Sequence, residues 1–335
     1  MGLTIVYAII IFCLLIFVHE FGHFAVAKSV GIRVNEFSLG MGPLIFHFVK
    51  GETEYSLRAL PIGGYVKMEG EDEDSDDPRA FNHKPAWQRA LVVVAGSVMN
   101  ILTTVLIVTA IALFAGLATN VIAEIGEGYP SETAGLLPGD KIIQINEMKI
   151  DTWNDVTTSI AKSTEDSVSV IVEREGKQLT LISGVTTDEN GRRIIGITSE
   201  LEHSFIKSIK TGLFGTWFWT KEMVNYLGLL FTGGGSMDDL VGPVGIVSII
   251  NDQAKLGIFY IANLTALISL NLGIINLLPI PALDGGRLLF LIVRKFTGKA
   301  ISDETEAKIH FAGIILLFGL MIYLVVQDID RFIFN

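Results

Sequence analysis

Cysteine occurs once in this chain of 335 residues, at Cys13, so no intramolecular disulfide can form and redox compartment cannot be read from it. Charge is scarce as well, at 18% of residues, and Met1 to Val18 carry none. With half the residues hydrophobic and a mean hydropathy of +0.51, the composition excludes an ordinary soluble domain. No Lys or Arg precedes the first apolar run, and no small-x-small site follows before His19, so the run is expected to stay attached instead of being cleaved as a signal peptide. Val6 stands where a myristoylation motif needs Ser or Thr. Acidic residues outnumber basic ones for a net charge of −11, which argues against nucleic acid as a partner. Much of that excess is one run, Glu71-Asp-Glu-Asp-Ser-Asp-Asp77, read as a solvated loop.

What is abundant is uncharged length. Residues 1–18, Ala90 to Leu117, Leu256 to Leu283 and Phe311 to Val326 are free of charge. Because crossing the hydrocarbon takes about 20 apolar residues, these runs predict a membrane protein with about four transmembrane helices. The last is short unless 307–310 or Gln327 extends it. Lys28, Arg33, Lys84 and Arg89 flank the loop between the first two spans, and Arg287, Arg294, Lys295 and Lys299 fill the one between the last two. Both loops are therefore expected in the cytoplasm, with 118–255 outside. Spans one and three then run in the same direction.

The third uncharged stretch has 28 residues, about 42 Å as a straight helix, too long for one crossing. Pro279 and Pro281 are expected to break it and leave Asp284 within the inner part of the bilayer. Residues 118–202 read instead as an inserted domain of short alternating strands. The stretch 203–255, with Trp217, Phe218 and Trp219 interleaved with lysines, reads as an interfacial amphipathic helix and linker. In the first cytoplasmic loop Leu44 to Val49 and Tyr55 to Leu60 suggest a β-hairpin that Pro61 to Val66 could extend, and the pair Gly63-Gly64 marks a close approach of another backbone or a bend.

The chemistry lies in His19-Glu-Phe-Gly-His23. HExxH on a helix sets two imidazoles one turn apart on one face, each able to present a nitrogen to zinc, with Glu20 beside them as general base. At membrane depth such polar groups are costly and mark function. Catalytic zinc takes three protein ligands, so a third donor must come from elsewhere. His47, His83, His203 and His310 lie outside the spans by this topology, and Asp284 is the carboxylate at comparable depth. Asp284 is read as that ligand, with a helix cap as the alternative. For the protein as a whole, an ion-coupled transporter or a catalytically silent scaffold remain the alternatives to a hydrolase.

HExxH together with Asn276-Leu-Leu-Pro-Ile-Pro-Ala-Leu-Asp-Gly285 resembles the motif pair of the site-2 protease family of intramembrane zinc metalloproteases, in the same order and in separate spans. Gly242-Pro-Val-Gly245, and Gly96 with Asn100, fit the same pattern. Ala134 to Asn146 resembles the turn-and-strand signature of a PDZ domain, departing from it at Glu147. The resemblance covers nearly the whole chain and is to bacterial members of the RseP type with one PDZ domain. It implies Zn2+ held by His19, His23 and Asp284, with Glu20 catalytic. It implies a re-entrant β-hairpin containing Gly63 and Gly64 whose edge pairs with a substrate strand; Asn276 is read as hydrogen-bonding the substrate backbone, with a cap on the proline-broken helix as the alternative. It also implies location in a bacterial inner membrane with the PDZ domain outside, and single-pass membrane substrates such as anti-sigma factors or signal-peptide remnants. The expected division is 1–117 and 256–335 for the membrane core, 118–202 for PDZ and 203–255 for the linking helix.

Overall fold

The computed structural model describes residues 2–71, 73, 75–189, 191–297 and 303–334. Asp72 and Asp74 of the acidic run, and Lys299 of the second basic loop, lie outside them. Free of charge until Glu20, the first helix α1 spans Gly2–Ser29 and is followed by two long strands, β1 Val34–Lys50 and β2 Thr53–Met68. Helix α2 is Ala86–Ala115. The inserted region contains β3 Leu117–Ile125, α3 Pro130–Thr133, β4 Lys141–Ile145, β5 Met148–Lys149, α4 Trp153–Lys162, β6 Ser167–Arg174, β7 Lys177–Gly184, β8 Thr186–Thr187, β9 Arg193–Ile194 and β10 Ile197–Glu202. Helices α5 Phe205–Phe231, α6 Pro243–Leu256, α7 Ile258–Asn276, α8 Asp284–Thr297 and α9 Asp303–Ile329 complete the chain.

Contacts divide the protein into two units: residues up to Thr109 with Lys210 onward, and Ala110–Ile209. Among the described residues four helices are long and apolar enough to cross a membrane: Thr4–Ser29, Ala86–Ala115, Ile258–Asn276 and Thr305–Phe332. Their outward faces are apolar because lipid is the solvent there; Leu106 and Phe114, for example, are exposed. The last helix begins well before Phe311, so residues 307–310 do extend it. This corrects the expectation for His310, which lies within α9. The reason is local: Ala307, Lys308 and Ile309 are compatible with helix, and charge alone does not end one.

The hairpin is longer than its sequence pattern predicts. Residues 36–39 of β1 pair on one side with 64–67 of β2, in opposite directions, and on the other with 54–57, in the same direction. Residues 44–50 pair in turn with 53–58. The two strands thus bend back to give four strand segments joined by three ladders, with Gly64 to Met68 along an outer edge. Positive φ at Gly40 (84°) permits the bend in β1. Phe37, Val66 and Met68 pack beneath the sheet with Ala27 of α1 and Val92 of α2, fixing the hairpin to the helices.

In the second unit the strand order is β10-β3-β4-β6-β7, with β5 beside β4. Its core alternates along the strands, as in Val168, Val170 and Val172, and closes over α4 through Val156 and Ile160. A capping box between Thr152 and Asp155 starts α4.

Candidate metal centre

His19 and His23 lie on the inward face of α1, both buried. Their rings cross at 79° with centroids 4.9 Å apart, and their Nε2 atoms are 3.2 Å apart. The third group arrives from the other half of the chain. α7 ends at Asn276, three residues before Pro279, and Asp284 is the first residue of α8 after the turn. Its Oδ2 is 3.2 Å from His19 Nε2 and 3.4 Å from His23 Nε2. One ligand atom from each of the three residues lies within 4.8 Å of the others.

The surrounding bonds decide what these atoms present. His23 Nδ1 donates to the Val92 carbonyl at 2.8 Å, which leaves its Nε2 as a lone pair. His19 Nδ1 lies 3.1 Å from the side-chain amide of Asn100, whose Oδ1 is buried without a donor. With the amide turned so that Oδ1 accepts the Nδ1 proton, both atoms are satisfied and His19 Nε2 is also a lone pair. Asp284 Oδ2 too is buried without a hydrogen-bond donor. Three acceptors facing one point repel one another, and a cation resolves the conflict. Two imidazoles and a carboxylate with an open side are a donor set that suits zinc.

Room for an ion is kept by α2. A Cβ on Gly96 would come within 2.8 Å of His19 Nε2 and still closer to His23 Nε2. Asn100 is held in turn by α7, since Ser269 Oγ donates to its backbone carbonyl at 2.9 Å and Thr104 Oγ1 donates to Ala266 O at 3.0 Å. These bonds satisfy hydroxyls that lipid could not.

A cavity of about 390 Å3 opens beside the three residues, lined by Glu20, by Tyr65 to Met68 of the hairpin edge, and by Arg287 with its partner Glu71. Gly64 lines it as well, and a Cβ there would meet Glu20 Cγ at 3.0 Å and Ser38 O at 2.9 Å. The close approach at Gly64 is therefore to the β1 backbone and to side chains of the HExxH helix. Gly63 faces away from the cavity wall and packs on Met41. Asn276 is half-buried, does not line the cavity, and among the described residues its side chain makes no hydrogen bond.

His310 is the residue whose role sequence reasoning missed. Its Nδ1 accepts the Ala282 N–H at 2.9 Å, and Ala282 has the left-handed φ of 78° that side-chain-bearing residues seldom adopt. A lone histidine at the head of an otherwise apolar run is the available signal.

The profile of peptidase family M50, the site-2 proteases, matches residues 7–320. The chain belongs to that family. A relative in Clostridium acetobutylicum, which carries a provisional zinc-metalloprotease name, is 36% identical over 330 residues and covers 97% of each chain. Zinc metalloprotease RasP of Geobacillus kaustophilus is 32% identical, covering 98% of each chain. Among solved structures, the PDZ domain of an SdrC-like protein from Listeria innocua matches with 24% identity, 26% of this chain, 97% of that chain and a TM-score of 0.23. Membership of M50, with four apolar helices, makes this a membrane-embedded peptidase.

Proposed function

We propose that the chain hydrolyses peptide bonds within transmembrane segments of single-pass membrane proteins, with His19, His23 and Asp284 holding zinc and Glu20 as the proton-transfer group. It is a zinc-dependent metalloendopeptidase of the M50 family. The observation that carries the assignment of residues is the convergence of three buried acceptor atoms from α1 and α8. Zinc bound there would lower the pKa of a coordinated water toward 7 and polarise the scissile carbonyl.

Glu20 follows His19 on α1 and lines the cavity. Its carboxylate accepts a proton from the attacking water and returns it to the leaving amine. A substrate helix hides its amides in its own bonds, so it must unwind before it is cut. The outer edge of Gly64 to Met68 offers unpaired ladder positions along the cavity, on which an extended segment would recover backbone hydrogen bonds. Asn276, with an uncommitted amide, is a second group for the substrate backbone. The fit of anti-sigma factors or signal-peptide remnants to this site rests on their chemistry as single apolar spans.

The basic residues Lys28, Arg33, Lys84, Arg89, Arg287 and Arg294 support cytoplasmic placement of the hairpin and α8 in a bacterial inner membrane. Residues 118–202, read as PDZ, are then outside, where they exclude bulky outer domains or read new C-termini. Glu20→Gln tests the mechanism: bound zinc should be unchanged and cleavage of a model transmembrane substrate should fall at least about a thousandfold. Cleavage at the wild-type rate would remove Glu20 from the reaction.

A further inference from the structure

Two hollows lie on either side of Leu291 in α8. One, of about 470 Å3, is bounded by Arg89 and Val93 of α2, Phe290 and Arg294 of α8, and Glu306 and His310 of α9. The other, of about 430 Å3, is a mainly apolar groove between Trp87 and Leu91 of α2 and Leu288, Ile292 and Phe296 of α8, with Lys295 also in its wall. Trp87, Leu91 and Phe296 are exposed.

The charges in the first hollow do not all pair. Arg294 donates to Glu306 at 2.6 Å, and Arg287 donates to Glu71. Among the described residues the Arg89 guanidinium has no hydrogen bond or ion pair, and its Nε is buried without an acceptor. The charges that act on it are Arg294, of like sign, and Glu306, already engaged. Glu73 also reaches this hollow but is exposed. A half-buried guanidinium without a counter-ion is costly, and its planar fork matches phosphate oxygens. Arg89 stands in the first turn of a membrane-spanning helix, at headgroup level, where the available phosphate is that of a lipid.

We propose that the hollow and the groove together bind one anionic phospholipid. Its phosphate sits on Arg89, and an acyl chain lies past Leu291 along Trp87, Leu91 and Phe296. The groove has the apolar wall that a free phosphate would not need, and the hollow has the uncompensated cation that a zwitterionic lipid would not satisfy as well. The ligand would brace α8 against α2 beside the metal-site cavity, with which the hollow shares Glu71, Val93 and Arg287.

The full chain in detergent, titrated with phosphatidylglycerol or phosphatidylcholine of matched chains and read by native mass spectrometry, tests this. Wild type should retain a first phosphatidylglycerol about tenfold better than phosphatidylcholine. Arg89→Gln should lose that preference, Arg89→Lys should keep part of it, and Lys177→Gln, an exposed site in the other unit, should keep all of it. Phe296→Ala removes a side chain that is 81% exposed and leaves the packing intact, so it should weaken retention of the long-chain lipid in a folded protein. Equal retention of the two lipids, or a wild-type preference in Arg89→Gln, would overturn the proposal. So would displacement of phosphatidylglycerol by millimolar inorganic phosphate, which would make this a free-phosphate site.

Discussion

His310 Nδ1 accepts the N–H of Ala282 at 2.9 Å, joining α9 to the turn two residues ahead of Asp284. Gly313, one turn further along α9, packs directly on the Pro281 backbone, where a Cβ would collide with the carbonyl. The last span thereby steadies the turn that presents Asp284, in which Ala282 holds a strained φ costing about 1–3 kcal/mol. His310→Ala should loosen that turn and weaken zinc binding on the order of tenfold. His310→Asn, which can still offer an acceptor near the same point, should restore part of it. Chelator competition measures both, and an unchanged affinity in His310→Ala would show that the turn holds itself.

Gly96→Ala puts a methyl group against both imidazole Nε2 atoms. The backbone of α2 cannot retreat without breaking the Val92 carbonyl bond to His23. Zinc content should fall to background while the protein still folds and inserts, as judged by its helical circular dichroism. Full occupancy in this variant would mean that α2 does not border the ion.

Gly64→Ala separates the hairpin from the metal. Its Cβ would press on Ser38 O at 2.9 Å and on Glu20 Cγ at 3.0 Å, and the Glu20 side chain is the group free to move. Zinc should remain bound, and kcat for a transmembrane substrate should fall by about tenfold or more, the scale of a misplaced general base. A change confined to KM would assign Gly64 to substrate docking alone.

Asp140 in the second unit is buried and takes a two-pronged ion pair from Arg174, at 2.7 Å to each oxygen, plus the Leu137 N–H at 2.9 Å. Burial pushes its carboxyl up, and these hydrogen bonds outweigh it, holding the pKa below the ordinary 3.8. A depressed carboxyl stabilises the fold above the ordinary value and stops doing so as pH falls through the folded one. Amide exchange in β4 and β6 should therefore accelerate only below about pH 4 in wild type. In Arg174→Ala it should already be faster at neutral pH, by a loss of about 2–3 kcal/mol for a carboxylate left without its cation. Equal protection in the two proteins would leave the pair without structural weight.

The parts of the site legible in the sequence are those written in short spacings. His19, Glu20 and His23 share a helical turn, and Asp284 follows a proline-broken run, so spacing and hydropathy alone put both at similar depth. The hairpin shows in the sequence as two alternating segments with an extension to Val66, and not as a folded-back sheet, because pairing on both sides of residues 36–39 depends on a chain reversal that no local pattern encodes. The Val92 carbonyl, which orients His23, has no side-chain signature at all. His310 reads as lying outside the spans unless residues 307–310 extend the last one, and it lies in α9, because a helix can begin among polar residues and then enter the membrane.

The central claim is that two imidazoles of α1 and the carboxylate of α8 hold one metal ion. Zinc affinity measured on purified wild type beside Asp284→Ala tests it most directly. The account predicts about one zinc per chain in wild type and at least about a hundredfold weaker binding in the variant. Wild-type affinity in Asp284→Ala would contradict it.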